Sequence, residues 1–296
     1  MNPSRRPIPH VLGMLILAVI PAGAHPRAGA EEAKPREKRE TTVRLALMRG
    51  IPEKWNLEAN FAVFLQQVKA ADAKEADILI TPECWLDGYA SPHKDATPEK
   101  LRAIAQDVKT SPYLQRVAAE AKQRAMYICF GFTSREADRI YNAAGLWNAD
   151  GERVGIYHKT HLQHHDLQYA PGDGFPVWDT RWGKVGIMIC ADRRWPETTR
   201  TLRLKGAKLI LNPTYGFHND FNEVMMRTRA FENQCFIAFT HPAQGLITGP
   251  KGAIEANQRG ETPGLLVYDV DLTRAKDDNH IRDRRPDLYG DFVPSN

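Results

Sequence analysis

Short apolar runs alternate with longer amphipathic stretches along this chain from Thr42 to about Leu272. Val43-Arg44-Leu45-Ala46-Leu47 reads as a strand, and Ile78-Leu79-Ile80, stopped by Pro82, as a fully buried one. Between them Leu57, Phe61, Phe64, Leu65 and Val68 share one helical face and predict a helix over residues 57–71. The pattern then predicts a helix near residues 113–124 and a strand over 127–132. A hairpin follows, its arms at 144–147 and 154–157 flanking the turn Asn148-Ala149-Asp150-Gly151. An apolar run from Val185 ends at Cys190, taken as the last residue of its strand, and Pro196 suits the first turn of a helix over about 197–204. A strand at 209–211, a helix ending near Asn233, a strand at 236–239, a segment 247–254 turning at Pro250-Lys251-Gly252, and a strand at 265–270 complete the series. Hairpins mixed with crossovers predict sheets covered by helices, a layered α/β domain. No linker interrupts this region, so residues 42–296 are expected to be one domain with a C-terminal tail.

The first residues do not share the rhythm. Arg5-Arg6 precede an apolar run from Val11 to Ile20, followed by Ala22-Gly23-Ala24 and Ala28-Gly29-Ala30. That order of charge, apolar run and small-residue site is a secretory signal peptide, expected over residues 1–30, and the run is too short to span a membrane. Ser4-Arg5-Arg6 hints at twin-arginine export, and an uncleaved anchor is the alternative. Residues 31–41, rich in Glu, Lys and Arg, are expected to be a solvated linker. The formal charge of +4 over 296 residues falls to +1 once Arg5, Arg6 and Arg27 are removed. No basic stripe or binding module points to nucleic acid. Cys84, Cys129, Cys190 and Cys235 could form two disulfides in an exported protein, but Cys129 and Cys235 lie in core-strand contexts, and four free thiols are expected.

The candidate chemistry centres on Cys190-Ala191-Asp192-Arg193-Arg194-Trp195-Pro196-Glu197. A thiol where a strand leaves the core and a helix follows is how α/β enzymes present a nucleophile beside backbone N–H groups. A buried structural cysteine looks the same. A cysteine nucleophile needs a base and donors for the oxyanion, and no histidine is placed by motif as that base. Glu83 follows Ile80-Thr81-Pro82 at the carboxyl end of a buried strand, where α/β sheets place their sites. Lys159 stands in Tyr157-His158-Lys159-Thr160-His161-Leu162, just beyond the hairpin. Singly, each also reads as an ordinary surface charge.

Together these contexts resemble the nitrilase superfamily of carbon–nitrogen hydrolases, from about Val43 to Asp271. Tyr169-Ala170-Pro171-Gly172-Asp173, Gly206-Ala207-Lys208-Leu209-Ile210-Leu211, Arg229-Ala230-Phe231-Glu232-Asn233 and Gly249-Pro250-Lys251-Gly252 follow in the family's order. The resemblance implies a four-layer α-β-β-α sandwich, usually assembled as a homodimer or larger homo-oligomer, and a triad of Glu83, Lys159 and Cys190 with no cofactor. It implies that Glu83 takes the thiol proton, that Lys159 and the Ala191 N–H serve the oxyanion, and that a thioester forms and is hydrolysed. Many members carry a second glutamate before the Pro-Gly equivalent to Pro171-Gly172. Here His165 has that spacing and Asp166 comes one residue later, so either Asp166 fills the position through a shift or an imidazole does.

The stretch Asp192-Arg193-Arg194-Trp195-Pro196-Glu197 most resembles the branch acting on N-carbamoyl amino acids, in which the arginines after the nucleophile hold the substrate carboxylate. Arg193 and Arg194 match them, and guanidinium forks suit carboxylates. Structural ion pairs with Asp192 or Glu197 are the bland alternative. The chain lacks that branch's longer insertions, so ω-amidase, aliphatic amidase or nitrilase specificity stays open. His158, His161, His164, His165 and Asp166 crowd one segment, which keeps a metal-binding protein in view, although no second ligand cluster accompanies them. A catalytically silent binding protein is the remaining class. Asp283-Arg284-Arg285-Pro286-Asp287-Leu288-Tyr289 reads either as a tail packing at a dimer interface or as a surface tail.

Overall fold

The computed structural model describes residues 39–166, 168–217 and 219–290. The expected signal peptide and most of the charged linker lie outside the described residues. The first sheet draws on β1 (Thr42–Arg49), β2 (Ile78–Ile80), β3 (Gln106–Asp107), β4 (Tyr127–Glu136), β5 (Arg139–Trp147) and β6 (Arg153–His158), interleaved with helices α1 (Leu57–Ala73), α2 (Pro98–Ile104) and α3 (Pro112–Gln123). The second contains β7 (Val177–Thr180), β8 (Gly183–Ile187), β9 (Leu209–Pro213), β10 (Phe236–His241), β11 (Gln244–Thr248) and β12 (Ile254–Arg259), with α4 (Pro196–Leu204) and α5 (Phe221–Asn233) between its strands. β13 (Gly264–Asp271) returns to pair with β1, and α6 (Asn279–Arg282) follows.

Strand order is β13-β1-β2-β4-β5-β6 in one sheet, with β3 on β4, and β12-β11-β10-β9-β8-β7 in the other. Each has a parallel centre, β1/β2/β4 and β8/β9/β10, with antiparallel strands outside it.

Alternation along the central strands builds the layers, because successive side chains point to opposite faces. Leu45 and Leu47 of β1, Ile78 and Ile80 of β2, and Leu209 and Leu211 of β9 share one core between the two sheets. Their neighbours Ala46, Met48 and Leu79 face outward, onto Phe61, Phe64 and Val68 of α1 and Leu114, Val117 and Ala121 of α3. On the far side Ile210, Ile237 and Phe239 meet Leu202 of α4 and Met226 and Ala230 of α5. Burial on both faces is why these strands read as continuous apolar runs. The result is the expected α-β-β-α sandwich.

Differences from expectation have local causes. The hairpin turn forms as read, with the Asn148 side chain accepting from the Asp150 and Glu152 N–H groups at 3.0 and 2.8 Å. β8, however, ends at Ile187, short of Cys190. The Met188 N–H still donates to the Leu211 carbonyl at 3.0 Å, but Asn212 donates to the Met188 carbonyl at 3.0 Å and Asp192 accepts from the Ile189 N–H at 2.9 Å, so side chains end the ladder there. The segment 247–254 turns where expected, between the end of β11 at Thr248 and the start of β12 at Ile254, and is closed by the Gly249 N–H on the Ala253 carbonyl at 2.9 Å. The end of the charged linker is anchored, since Arg39 reaches Asp77 at 3.3 Å and its carbonyl accepts from Trp182 Nε1 at 2.9 Å. All four cysteines are buried free thiols. No described helix is long and apolar enough to cross a membrane.

Candidate active site

The carboxyl ends of the parallel strands in both sheets supply the site. Glu83 lies in the turn after β2, Lys159 directly after β6, and Asp166 in the 3-10 turn His164–Asp166, and all three side chains are fully buried. The Lys159 Nζ lies 2.9 Å from Glu83 Oε1 and 2.6 Å from Asp166 Oδ2. Asn142 donates to the same Glu83 oxygen at 2.7 Å, and the Tyr215 N–H donates to Oε2 at 2.8 Å. Buried carboxylates this well bonded are held in one geometry. Burial opposes the Lys159 ammonium, but the charges of Glu83, Cys190 and Asp166 outweigh it and raise the lysine above its ordinary value.

Lys159 is placed by backbone on both sides. Its N–H donates to the Asn142 carbonyl at 2.8 Å and its carbonyl accepts from the Gly172 N–H at 2.9 Å. A β-carbon at Gly172 would meet the His158 carbonyl oxygen at 2.1 Å, so the Pro171-Gly172 segment needs glycine for this approach.

Cys190 opens a 3-10 turn (Cys190–Arg194) with φ of 46°, a left-handed conformation that costs a non-glycine residue about 1–2 kcal/mol. The thiol lies 3.5 Å from Arg193 Nη1, and a β-carbon at Gly216 would come within 2.9 Å of it. Burial, then the Glu83 charge, pushes the thiol above its ordinary value, while Lys159 and Arg193 pull the other way. The resting group is therefore a thiol. Ala191, buried beside it, occupies the next position of the turn.

The two arginines part company. Arg193 is fully buried, donates through Nη2 to Asn222 at 2.9 Å, and lies over Phe217 and Phe239 at 4.8 and 5.6 Å, with Nε unpartnered. Arg194 is exposed, stacks 5.0 Å from Phe217 and donates to Gln163. Neither forms an ion pair with Asp192 or Glu197 among the described residues. Asp192 instead accepts from Tyr157 at 2.7 Å and from the Ile189 N–H, and it lies 2.8 Å from His161 Nδ1.

Asp166, and not the His165 imidazole, meets Lys159. The other histidines disperse: His158 stacks on Tyr141 at 4.0 Å, and His161 on Trp195 at 4.2 Å. Among the described residues no three His, Cys, Asp or Glu side chains could hold a metal ion.

Several residues here carried no sequence signal of their own. Tyr89 stacks on Tyr215 at 4.9 Å, and Lys54 lies over both rings at 5.9 and 5.1 Å while donating to the Gly88 and Tyr89 carbonyls. His241 Nε2 lies 2.9 and 3.0 Å from the Tyr215 and Gly216 carbonyls, so that nitrogen carries the proton and fixes the loop facing Cys190. Asn142 had one faint mark, a polar residue in an otherwise apolar strand.

The sequence profile of the carbon–nitrogen hydrolases matches residues 44–279. A hydrolase in the pqqF 5' region of Pseudomonas protegens is 35% identical over 272 residues, covering 85% of this chain and 92% of that protein. The N-carbamoylputrescine amidase of Arabidopsis thaliana is 29% identical over 271 residues, covering 79% and 90%. Among solved structures, an amidase variant from Nesterenkonia sp. AN1 aligns with a TM-score of 0.74 at 22% identity, covering 88% of this chain and all of that one. That amidase carries the acetamide moiety of fluoroacetamide covalently at its active-site cysteine. The profile spans both sheets and every strand end that supplies the buried cluster, and on that match the chain belongs to the carbon–nitrogen hydrolase family of the nitrilase superfamily.

Proposed function

We propose that the protein hydrolyses the terminal amide or N-carbamoyl group of a small carboxylate-bearing substrate through a Cys190 thioester. The observation that carries this is the buried Glu83–Lys159–Asp166 cluster, whose charges act on a Cys190 thiol that burial and Glu83 push above its ordinary value. A protonated thiol needs a base at the moment of attack, and Glu83, bonded on both oxygens, is the base. The thiolate attacks the carbonyl carbon while the Ala191 N–H and the Lys159 ammonium receive the developing oxyanion. Glu83 returns its proton to the departing nitrogen and ammonia leaves. Glu83 then takes a proton from water, the hydroxide attacks the acyl carbon, and Glu83 returns that proton to the Cys190 sulfur as the product leaves. An amide gives a carboxylic acid; an N-carbamoyl group gives a carbamic acid that breaks down to carbon dioxide and the amine. Asp166 holds the far side of the ammonium throughout.

The anionic end of the substrate is assigned to Arg193 and Arg194. A buried guanidinium with no carboxylate partner is costly, which favours an incoming anion; the N-carbamoylputrescine amidase among the relatives supports the ureido group alone, since putrescine carries no carboxylate. One observation favours a second reading: Arg193 is enclosed by Phe217, Phe239 and Asn222, which suits a short uncharged amide with Arg193 acting on the thiol alone. An ammonia-release screen across N-carbamoyl amino acids, ω-amides, aliphatic amides and nitriles separates the two. The first expects carboxylate-bearing substrates to lead and to collapse in Arg193→Ala, and a lead by neutral amides sinks it. Cys190→Ala should release no ammonia, and undiminished release would remove Cys190 as the nucleophile, whereas a wild type that releases ammonia from none of these classes would leave a binding protein.

Two further proposals concern the protein as a whole. Export through the signal peptide follows from Arg5-Arg6, the apolar run and the Ala-x-Ala sites, and N-terminal sequencing of the mature protein tests it. Homo-oligomerisation is supported by α5, whose Phe221, Val224 and Phe231 form an exposed stripe beside a groove of about 830 Å³ lined by Leu204, His280 and Tyr289. Light scattering on the wild type and Phe231→Glu tests it.

A further inference from the structure

The Asp166 carboxylate has a neighbour on the side away from Lys159. Tyr89, in a left-handed conformation after Gly88, is almost wholly buried and points its hydroxyl between two groups: His165 Nε2 at 2.9 Å and Asp166 Oδ1 at 3.3 Å. The other Asp166 oxygen is occupied by Lys159 at 2.6 Å and by the Gln163 N–H at 3.3 Å. His165 is about one-third exposed at its side chain (31%), and its carbonyl is pinned by Ser91 at 2.8 Å. A continuous set of contacts therefore runs from a solvent-accessible imidazole to the buried ammonium.

A phenol has one proton to give. When His165 Nε2 bears hydrogen, it donates to the Tyr89 oxygen, and the Tyr89 proton is free for Asp166. When Nε2 is bare, it competes for that proton, and Asp166 Oδ1 loses its donor. Burial, then the charges of Glu83, Cys190, Asp166 and Cys84, raise the Tyr89 phenol far above its ordinary value, so the hydroxyl keeps its proton. The groups facing His165 are the Tyr89 hydroxyl, the Asp166 carboxylate at 3.9 Å and the edge of His164 at 4.8 Å. Lys54 caps the Tyr89 ring.

We propose that Tyr89 and His165 are positioning residues for Asp166: the imidazolium donates from Nε2, the neutral ring keeps its hydrogen on Nδ1, and the proton on Nε2 thereby decides whether Tyr89 bonds Asp166, and so how firmly Lys159 is held. This rests on the reading that Lys159 and Asp166 serve the Cys190 reaction.

The test measures kcat and KM against pH for the wild type, Tyr89→Phe and His165→Gln, with Cys190→Ala alongside. Glutamine keeps a donor near the Nε2 position but cannot titrate. The wild-type kcat should step down about threefold as pH rises through one ionisation, the size expected for one hydrogen bond. That step should vanish in both variants, with Tyr89→Phe also losing about tenfold in kcat while KM moves by less than about twofold. A step that persists in His165→Gln or Tyr89→Phe, or a wild type without one, overturns the proposal. If Tyr89→Phe fails to fold, the pH profile of His165→Gln decides. Activity surviving in Cys190→Ala would instead overturn the underlying reaction, a distinct result.

Discussion

Lys159 and Arg193 are both wholly buried cations beside Cys190, and their surroundings are opposites. Lys159 is held between two carboxylates, at 2.9 and 2.6 Å. Among the described residues Arg193 meets an amide oxygen, a sulfur and two aromatic faces, and no carboxylate. One charge is satisfied by the fold itself. On the proposed reading, the other gains an anion when the thiolate forms or an anionic substrate arrives. A buried ion pair is costly to break because the surviving partner is stranded, whereas a cation without a stranded partner can be removed more cheaply. The contrast separates what assembles the site from what the site awaits.

Removing Lys159 should have the largest effect. Lys159→Met leaves Glu83 and Asp166 buried together without their cation, and a loss of about 3–5 kcal/mol is expected in urea unfolding, with ammonia release abolished. The sign of the pH dependence follows from the raised lysine value. A cation whose folded pKa lies above the unfolded one stabilises fully below the unfolded value, about 10.4, and loses that contribution as pH rises through the folded value. The gap between wild type and Lys159→Met should thus stay level from neutral to mildly alkaline pH. A gap closing near neutrality would mean that the ammonium is not paired as the distances indicate.

Arg193→Met should cost far less stability, about 1–2 kcal/mol, because Asn222 and, more weakly, the Cys190 sulfur lose a donor and two rings lose a cation. Its effect on the thiol should be clearer. Arg193 works against the upward push of burial and Glu83 on Cys190, so its removal moves the thiol further up. Alkylation by iodoacetamide should already keep rising with pH past the usual thiol value of about 8.5 in the wild type, and the midpoint should rise again in Arg193→Met. An unshifted midpoint would show that the guanidinium does not act on sulfur.

The same contrast explains how much of the molecule was legible in the chain. Leu45, Ala46 and Leu47, or Leu209, Ile210 and Leu211, announce a doubly covered strand because burial on both faces leaves no polar position. Glu83 and Cys190 each stand three residues beyond such a strand and Lys159 directly follows the hairpin, so their contexts were readable. The carboxylate that meets Lys159 was readable only as His165 or Asp166, since a short 3-10 turn gives no periodicity to fix which side chain turns inward. Asn142 reaches Glu83 through strand order within one sheet, Tyr89 reaches Asp166 between loops of that same half, and Tyr215 reaches Glu83 from the second sheet, across 59, 77 and 132 residues of chain. No local pattern encodes such contacts. β7 and α2 were too short to show a period, and Arg193-Arg194 read as a pair because sequence proximity conceals which side chain turns inward.

That pair supplies the smallest expected effect. Phe217 lies near both guanidinium groups, at 4.8 Å for Arg193 and 5.0 Å for Arg194, but only the first is enclosed. Arg194 is exposed, and its polar partner is Gln163 rather than a carboxylate. A charge in that position acts on an approaching anion through water, where attraction is weak and screened over roughly 8 Å at physiological salt. Arg194→Ala should therefore raise KM for carboxylate-bearing substrates by about two- to fivefold, with a smaller change in kcat, and added salt should shrink the difference. Initial rates at low and high ionic strength measure it. A large, salt-insensitive loss of kcat would mean that Arg194 turns inward with substrate bound and joins Arg193 as a buried anchor.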